Sequence, residues 1–250
     1  MLTAASRFFN DATGLEKTLR LVQCYSQVAA ALAVTASDAA PWIQARSHFV
    51  VARRFFRMTK WIDAWNAALQ HLSSTGTKTS SDSSIRTLLQ LIKFSCLGMY
   101  MFLEMFTITD AMKVTSTTWG PRVLDESLKF WFYAIAASLL LSLLDLWSAV
   151  FSSTTAFSPS ATQSEKQKDG LSNDSKSKAK NEKPDATTPA SVSLSKRQIY
   201  KKLFTDGCDI LIPGSHTGWI PADALTVGVT GVLATLVSMA DVWARVNGGS

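Results

Sequence analysis

Residues 130–144 read FWFYAIAASLLLSLL, apolar or small on every side of a helical wheel. A helix in a water-soluble bundle needs only one apolar stripe, so a helix apolar all round predicts insertion into a bilayer. Lys129 and Asp145 bracket the run. Trp131, Tyr133 and Trp147 lie near its ends, where amphipathic rings anchor a segment at headgroup level. Residues 88–108 form a second apolar run, long enough at ~1.5 Å per residue to cross a ~30 Å hydrocarbon layer. It carries Lys93 and Glu104 on nearly one face, so either that face meets a partner helix or the helix is buried or partly inserted. The third run, 225–240, is uncharged. Its Gly228, Gly231, Thr235 and Ser238 recur at three- and four-residue steps, a small-residue face suited to close helix association in lipid, with a tightly packed soluble helix as the alternative.

The segment from Arg46 to Leu72 has a different pattern. At ~100° per residue, Val51, Phe55, Met58, Ile62, Trp65, Leu69 and Leu72 form one apolar stripe, with Arg46, Arg53, Arg57 and Lys60 roughly opposite. Such a cationic amphipathic helix either lies in a membrane interface or is a bundle helix with a solvated basic face. Its neighbours favour the membrane. Of the chain's 25 basic and 19 acidic residues, which give a net charge of +6, the excess is concentrated here and alternates with large apolar side chains. No recognised nucleic-acid module surrounds it, so no nucleic-acid partner is expected.

Upstream, Asn10 or Asp11 is positioned to cap a helix whose face is drawn by Leu15, Leu19, Val22, Ala29 and Leu32. Ser37, Asp38 and Pro41 predict a turn, with Asp38 capping the next helix. Residues 73–84 form a polar, flexible break. Residues 152–198, rich in Ser, Thr, Lys and acidic side chains, predict a disordered linker. The organisation is therefore an N-terminal helical region at 1–72, the break at 73–84, a membrane hairpin at 85–151, the linker at 152–198 and a C-terminal helical segment at 199–250. The fold class is all-α: a membrane-associated helical protein with N-terminal amphipathic helices, two to three membrane-inserted helices and a disordered linker.

Catalytic chemistry finds no support in the pattern. His48, His71 and His216 are scattered, Asp206, Cys208 and Asp209 read as a helix end rather than a metal cluster, and no glycine-rich phosphate loop occurs. No enzyme activity, cofactor or metal is expected. Cys24, Cys96 and Cys208 stand far apart at no metal-ligand spacing, which predicts free thiols in a reducing compartment. Charges from Arg7 to Arg20 interrupt any apolar secretory segment, so membrane entry is expected through internal helices.

Two short motifs carry a family resemblance. Gly14-x-Glu16-Lys17-x-x-Arg20-x-x-Gln23 is similar to the N-terminal signature of the peroxisomal biogenesis factor 11 family, and Asp209-x-x-Ile212-Pro213, followed by the Gly231 helix and Trp243, resembles its closing segment. Cys24 departs from the Tyr common in that family. The resemblance implies an integral protein of the peroxisomal membrane, N-terminus cytosolic, that elongates the membrane and promotes proliferation and fission. It implies a wedge of Phe55, Met58, Ile62 and Trp65, with Leu69 also at the membrane, headgroup binding by Arg53, Arg57 and Lys60, and homo-oligomerisation through Gly228, Gly231, Thr235 and Ser238. Anionic phospholipid, a second copy and fission machinery are the partners it implies. The family's cytosolic termini conflict with three full spans, so either 88–108 is only partly inserted or the last helix is re-entrant. A solute channel using Lys93 and Glu104, or a scaffold docking through the linker, are the alternative readings.

Overall fold

The computed structural model describes residues 2–74, 81–154 and 195–248. Among them the regular structure is all helical: α1 (Leu2–Asn10), α2 (Ala12–Leu32), α3 (Ala36–Arg57), α4 (Lys60–Ser74), α5 (Ser81–Phe106), α6 (Ile108–Ala111), α7 (Gly120–Thr154), α8 (Lys196–Asp209), α9 (Leu211–His216) and α10 (Ala224–Asn247). Three helices are long and apolar enough to cross a membrane, over Ser84–Phe106, Gly120–Val150 and Ala224–Asn247.

Local chemistry sets the helix starts. Asp11 caps α2, its carboxylate accepting from the Gly14 N–H at 2.9 Å. Gly14 is required there because a Cβ on it would stand 2.2 Å from the Phe8 carbonyl oxygen at the α1–α2 corner. At the next start Thr35, not Asp38, is the cap: its hydroxyl accepts from the Asp38 N–H at 3.2 Å. The turn expected at Ser37–Pro41 is instead the opening of α3, with Pro41 inside the helix. A proline this close to the start removes one backbone hydrogen bond from a solvent-facing turn, a small loss beside the packing of the whole helix.

The stripe at 46–72 is also divided. α3 ends at Arg57, and the Met58 N–H closes back onto the Phe55 carbonyl at 3.3 Å before α4 begins at Lys60. This break lets α3 pack along α2 while α4 packs along α5. Residues 75–80 of the expected polar break, and 155–194 of the expected linker, lie outside the described residues. The flanking parts are helical, and Gln198 Oε1 accepts from the Ser195 N–H at 3.0 Å where α8 begins.

α5 and α7 form an antiparallel hairpin, held at one end by Arg86 and Asp145 and further along by Tyr100 stacked on Trp131 at 5.1 Å. α2 lies between α3 and α10. Its buried face is Gly14, Glu16, Arg20, Cys24 and Ser26 rather than the leucine face expected from sequence; Leu32 is exposed. Among the described residues, the largest side chains that are fully enclosed are Thr235, Pro213, Ser26, Ser127 and Ser142. Outside stand Leu88 of α5, Leu140 and Leu143 of α7, and Leu233 and Leu236 of α10. The interior is mixed, with Phe8, Tyr100, Ile135, Leu141 and Ile199 buried alongside the small enclosed side chains, but large apolar side chains left outside on all three long helices suit helices that pack together in hydrocarbon.

The α2–α10 contact depends on missing side chains. A Cβ on Gly231 would come within 2.7 Å of Cys24 Sγ, and one on Gly228 within 2.8 Å of Val28 Cγ2. Gly231→Val is expected to cost about 1–3 kcal/mol through overpacking, read as a lowered midpoint in thermal unfolding. Gly207, which has open space around it within α8, is the counterpart: Gly207→Ala should raise stability by about 0.5–1 kcal/mol.

Candidate membrane-contact site and its buried charge network

On α3, Arg53 and Arg57 are one helical turn apart and Arg54 lies beside them, so one side of the helix presents three guanidinium groups. That side faces the protein. Arg53 Nε donates to Glu16 Oε1 at 3.0 Å and its Nη1 to Gln23 Oε1 at 2.6 Å. Arg57 Nη2 donates to both oxygens of Glu104, at 3.1 and 2.9 Å. Arg54 Nη1 reaches Thr107 Oγ1 at 3.3 Å, and its Nε lies 3.3 Å from Glu104. Tyr100 donates its hydroxyl to Glu104 at 3.2 Å, with the Arg57 guanidinium 5.6 Å from its ring centre. Arg20 pairs with Asp209, one contact measuring 3.2 Å, and Ser138 donates to Asp206 at 2.6 Å. α2, α3, α5, α7 and α8 are thereby joined through charge and hydrogen bonds.

These contacts redistribute the residues expected at a membrane surface. Arg53 and Arg57 are engaged with internal carboxylates instead of being presented to headgroups, because the break at Met58 turns the basic face of α3 toward α2 and α5. Lys60, at the start of α4, is half-buried. Phe55, Met58, Ile62 and Leu69 are 41% to 61% exposed and form an outward apolar row. Trp65 is packed: it meets Trp61 edge-on at 5.1 Å, lies 5.5 Å from Phe102 and covers Gly98. Gly228, Gly231 and Thr235 are buried, with α2 covering the two glycines, and Ser238 donates to the Ala234 carbonyl. The small-residue face thus serves helix association within the chain. Lys93 and Glu104, the paired candidates for a pore, have separate surroundings: Glu104 is enclosed by Arg54, Arg57 and Tyr100, and Lys93 holds its ammonium 5.2 Å from the Phe94 ring.

The family-like motif acquires a physical meaning here. Glu16, Arg20 and Gln23 share one face of α2, and each meets a partner from α3 or α8. Sequence reasoning missed Arg54 and Tyr100 as members of this network. The available signal was the spacing of 16, 20 and 23, which puts charge where an amphipathic helix of a soluble protein has its apolar stripe.

Burial pushes the Glu16 carboxyl upward, but Arg53, with Lys17 and Arg57, more than offsets this and holds it at about 2, against an ordinary 4.5. A lowered carboxylate pKa stabilises the fold above the unfolded value, and the contribution fades as pH falls from about 4.5 toward about 2. The shift corresponds to about 3 kcal/mol. Glu16→Gln leaves Arg53 buried without its counter-charge. It should lower stability at neutral pH by about 3–5 kcal/mol and flatten the acid dependence across that window, both measurable by circular dichroism against pH.

The sequence pattern of Peroxisomal biogenesis factor 11 (PEX11) matches residues 2–243. The chain is 23% identical over 244 residues to Peroxisomal membrane protein PMP27 of Saccharomyces cerevisiae, an alignment covering 97% of this chain and 94% of that protein. No solved structure matches it. With the match extending over nearly its full length, including the α2 motif and the α10 helix, the chain belongs to the Peroxisomal biogenesis factor 11 family.

Proposed function

We propose that the protein is an integral peroxisomal membrane protein that elongates the membrane during proliferation, with the outward row of Phe55, Met58, Ile62 and Leu69 as its wedge. The observation that carries this reading is the exposure of that row beside a bundle whose three longest apolar helices also turn large side chains outward. An apolar row of this kind inserts at the acyl boundary, and unequal expansion of one leaflet bends it. Family membership and the likeness to a peroxisomal membrane protein support the location. The N-terminus is assigned to the cytosol, where basic segments are retained.

Two parts of the reading follow from the packing. Headgroup attraction is assigned to Lys60 rather than to Arg53 and Arg57, which are engaged inside. Self-association is assigned to the outward faces of α5, α7 and α10, since α2 already lies against Gly228 and Gly231. Docking of fission machinery through the linker concerns residues 155–194, outside the described part of the chain. A solute channel has no comparable support, because Glu104 is closed in by arginine.

The test is reconstitution of the full chain into liposomes containing anionic phospholipid, viewed by electron microscopy. Wild-type protein should draw tubules. The Ile62→Asp, Leu69→Asp double variant should keep its helical circular dichroism and leave vesicles round, because both positions are on the surface. Tubules persisting in that variant would refute the wedge.

A further inference from the structure

A cavity of about 180 Å³ lies between α2, α3, α5, α7 and α9, and its wall is rich in one type of side chain. Arg20, Arg46, Arg53, Arg54 and Arg57 all line it, and among the described residues Glu104 is the only carboxylate in its wall. Glu16 and Asp209, behind Arg53 and Arg20, bring the opposing carboxylates to three against five guanidinium groups. Arg54 and Arg57 have to share Glu104; the Arg57 Nε donor is buried without a hydrogen-bond acceptor, and the buried Arg54 Nε has only its 3.3 Å ion-pair approach to Glu104. Among the described residues Arg46 makes no ion pair and is exposed, and His216, half-exposed and 3.7 Å from Asp125, lines the cavity with it. A second cavity of about 280 Å³ shares Gln23, Arg46 and His216 with the first, extending it past those residues.

We propose that this cavity binds one small phosphoryl-bearing anion, inorganic phosphate or the terminal phosphate of a phosphomonoester headgroup, held by Arg46, Arg54 and Arg57. The chemistry follows from charge and shape. Guanidinium groups are planar forks matched to tetrahedral oxyanions, and a buried surplus of them calls for a multiply charged acceptor rather than chloride. The volume decides the size. The cavity that Arg54 and Arg57 line, at about 180 Å³, is below the ~300 Å³ at which sites for drug-sized molecules begin, so it takes a single phosphate with some of its water, and any group attached to that phosphate extends past Arg46 into the neighbouring cavity. Trp131, Leu124, Leu128 and Ile212 supply an apolar wall that keeps the local dielectric low and strengthens the attraction. The site does not depend on the wedge, since Phe55, Met58, Ile62 and Leu69 are not in its lining.

The experiment uses the full chain in nanodiscs of phosphatidylcholine alone, titrated with inorganic phosphate and, at matched ionic strength, with chloride. Calorimetry and thermal unfolding should show saturable binding and stabilisation by phosphate only. Arg46→Gln, which breaks no internal pair, should weaken phosphate binding about tenfold; Arg122→Gln, which removes the same charge from the exposed start of α7, should not. Nanodiscs that also contain phosphatidic acid distinguish the source. Competition between that lipid and free phosphate, absent in Arg46→Gln, assigns the headgroup; undiminished phosphate binding assigns the free anion. No saturable effect of phosphate beyond chloride in either disc, or equal weakening by both variants, overturns the proposal.

Discussion

The pairing of Arg57 with Glu104 is the constraint on which the helix arrangement depends. Arg57 ends α3 and Glu104 lies near the end of α5, so their two-pronged contact fixes where the N-terminal helices meet the first long apolar helix. Removing two charges from water costs several kcal/mol each, and only a close, well-bonded geometry repays that. Here Tyr100 and Arg54 complete the carboxylate's surroundings, and Arg53 with Glu16 repeats the arrangement one turn earlier. Losing either partner leaves an uncompensated charge inside a low-dielectric bundle. The network therefore specifies one packing rather than merely adding stability.

With the charges inside, many large apolar side chains are left outside. Leu88, Leu140, Leu143, Leu233 and Leu236 are 45% to 55% exposed, and Phe55, Met58, Ile62 and Leu69 add exposed apolar side chains along α3 and α4. In water this would be an aggregation hazard. In a bilayer it is the expected exterior, and the contacts that hold the helices together are then small residues, buried hydroxyls and ion pairs, as at Gly231, Thr235 and Ser142. Fold and proposed activity thus share one cause: what suits the protein to a membrane also equips α3 and α4 to disturb one.

How much of this is legible in the sequence depends on how far apart the interacting residues lie. The apolar runs at 130–144 and 225–240 announce α7 and α10, because their signal is local and uninterrupted. The break at Met58–Thr59 escapes notice, since the spacing of Phe55, Met58 and Ile62 is continuous across it. The face of α2 is inverted relative to expectation: Leu15, Leu19 and Val22 look like a core stripe only if the exterior is water. The roles of Arg53 and Arg57 are illegible locally, because their partners are 37 and 47 residues away and that of Arg20 is 189 away. A cationic face looks the same in sequence whether it meets headgroups or buried carboxylates.

The central claim is that charge faces inward and apolar side chains face lipid. Spin labels at Ile62, Leu140 and Leu236 of the reconstituted chain, with the native cysteines replaced, test it by collision with oxygen, which concentrates in hydrocarbon, and with a water-soluble nickel complex. The account predicts strong oxygen and weak nickel relaxation at Leu140 and Leu236, with Ile62 at the shallow edge of the acyl region. Strong nickel and weak oxygen relaxation at all three positions would contradict it, placing these faces in water.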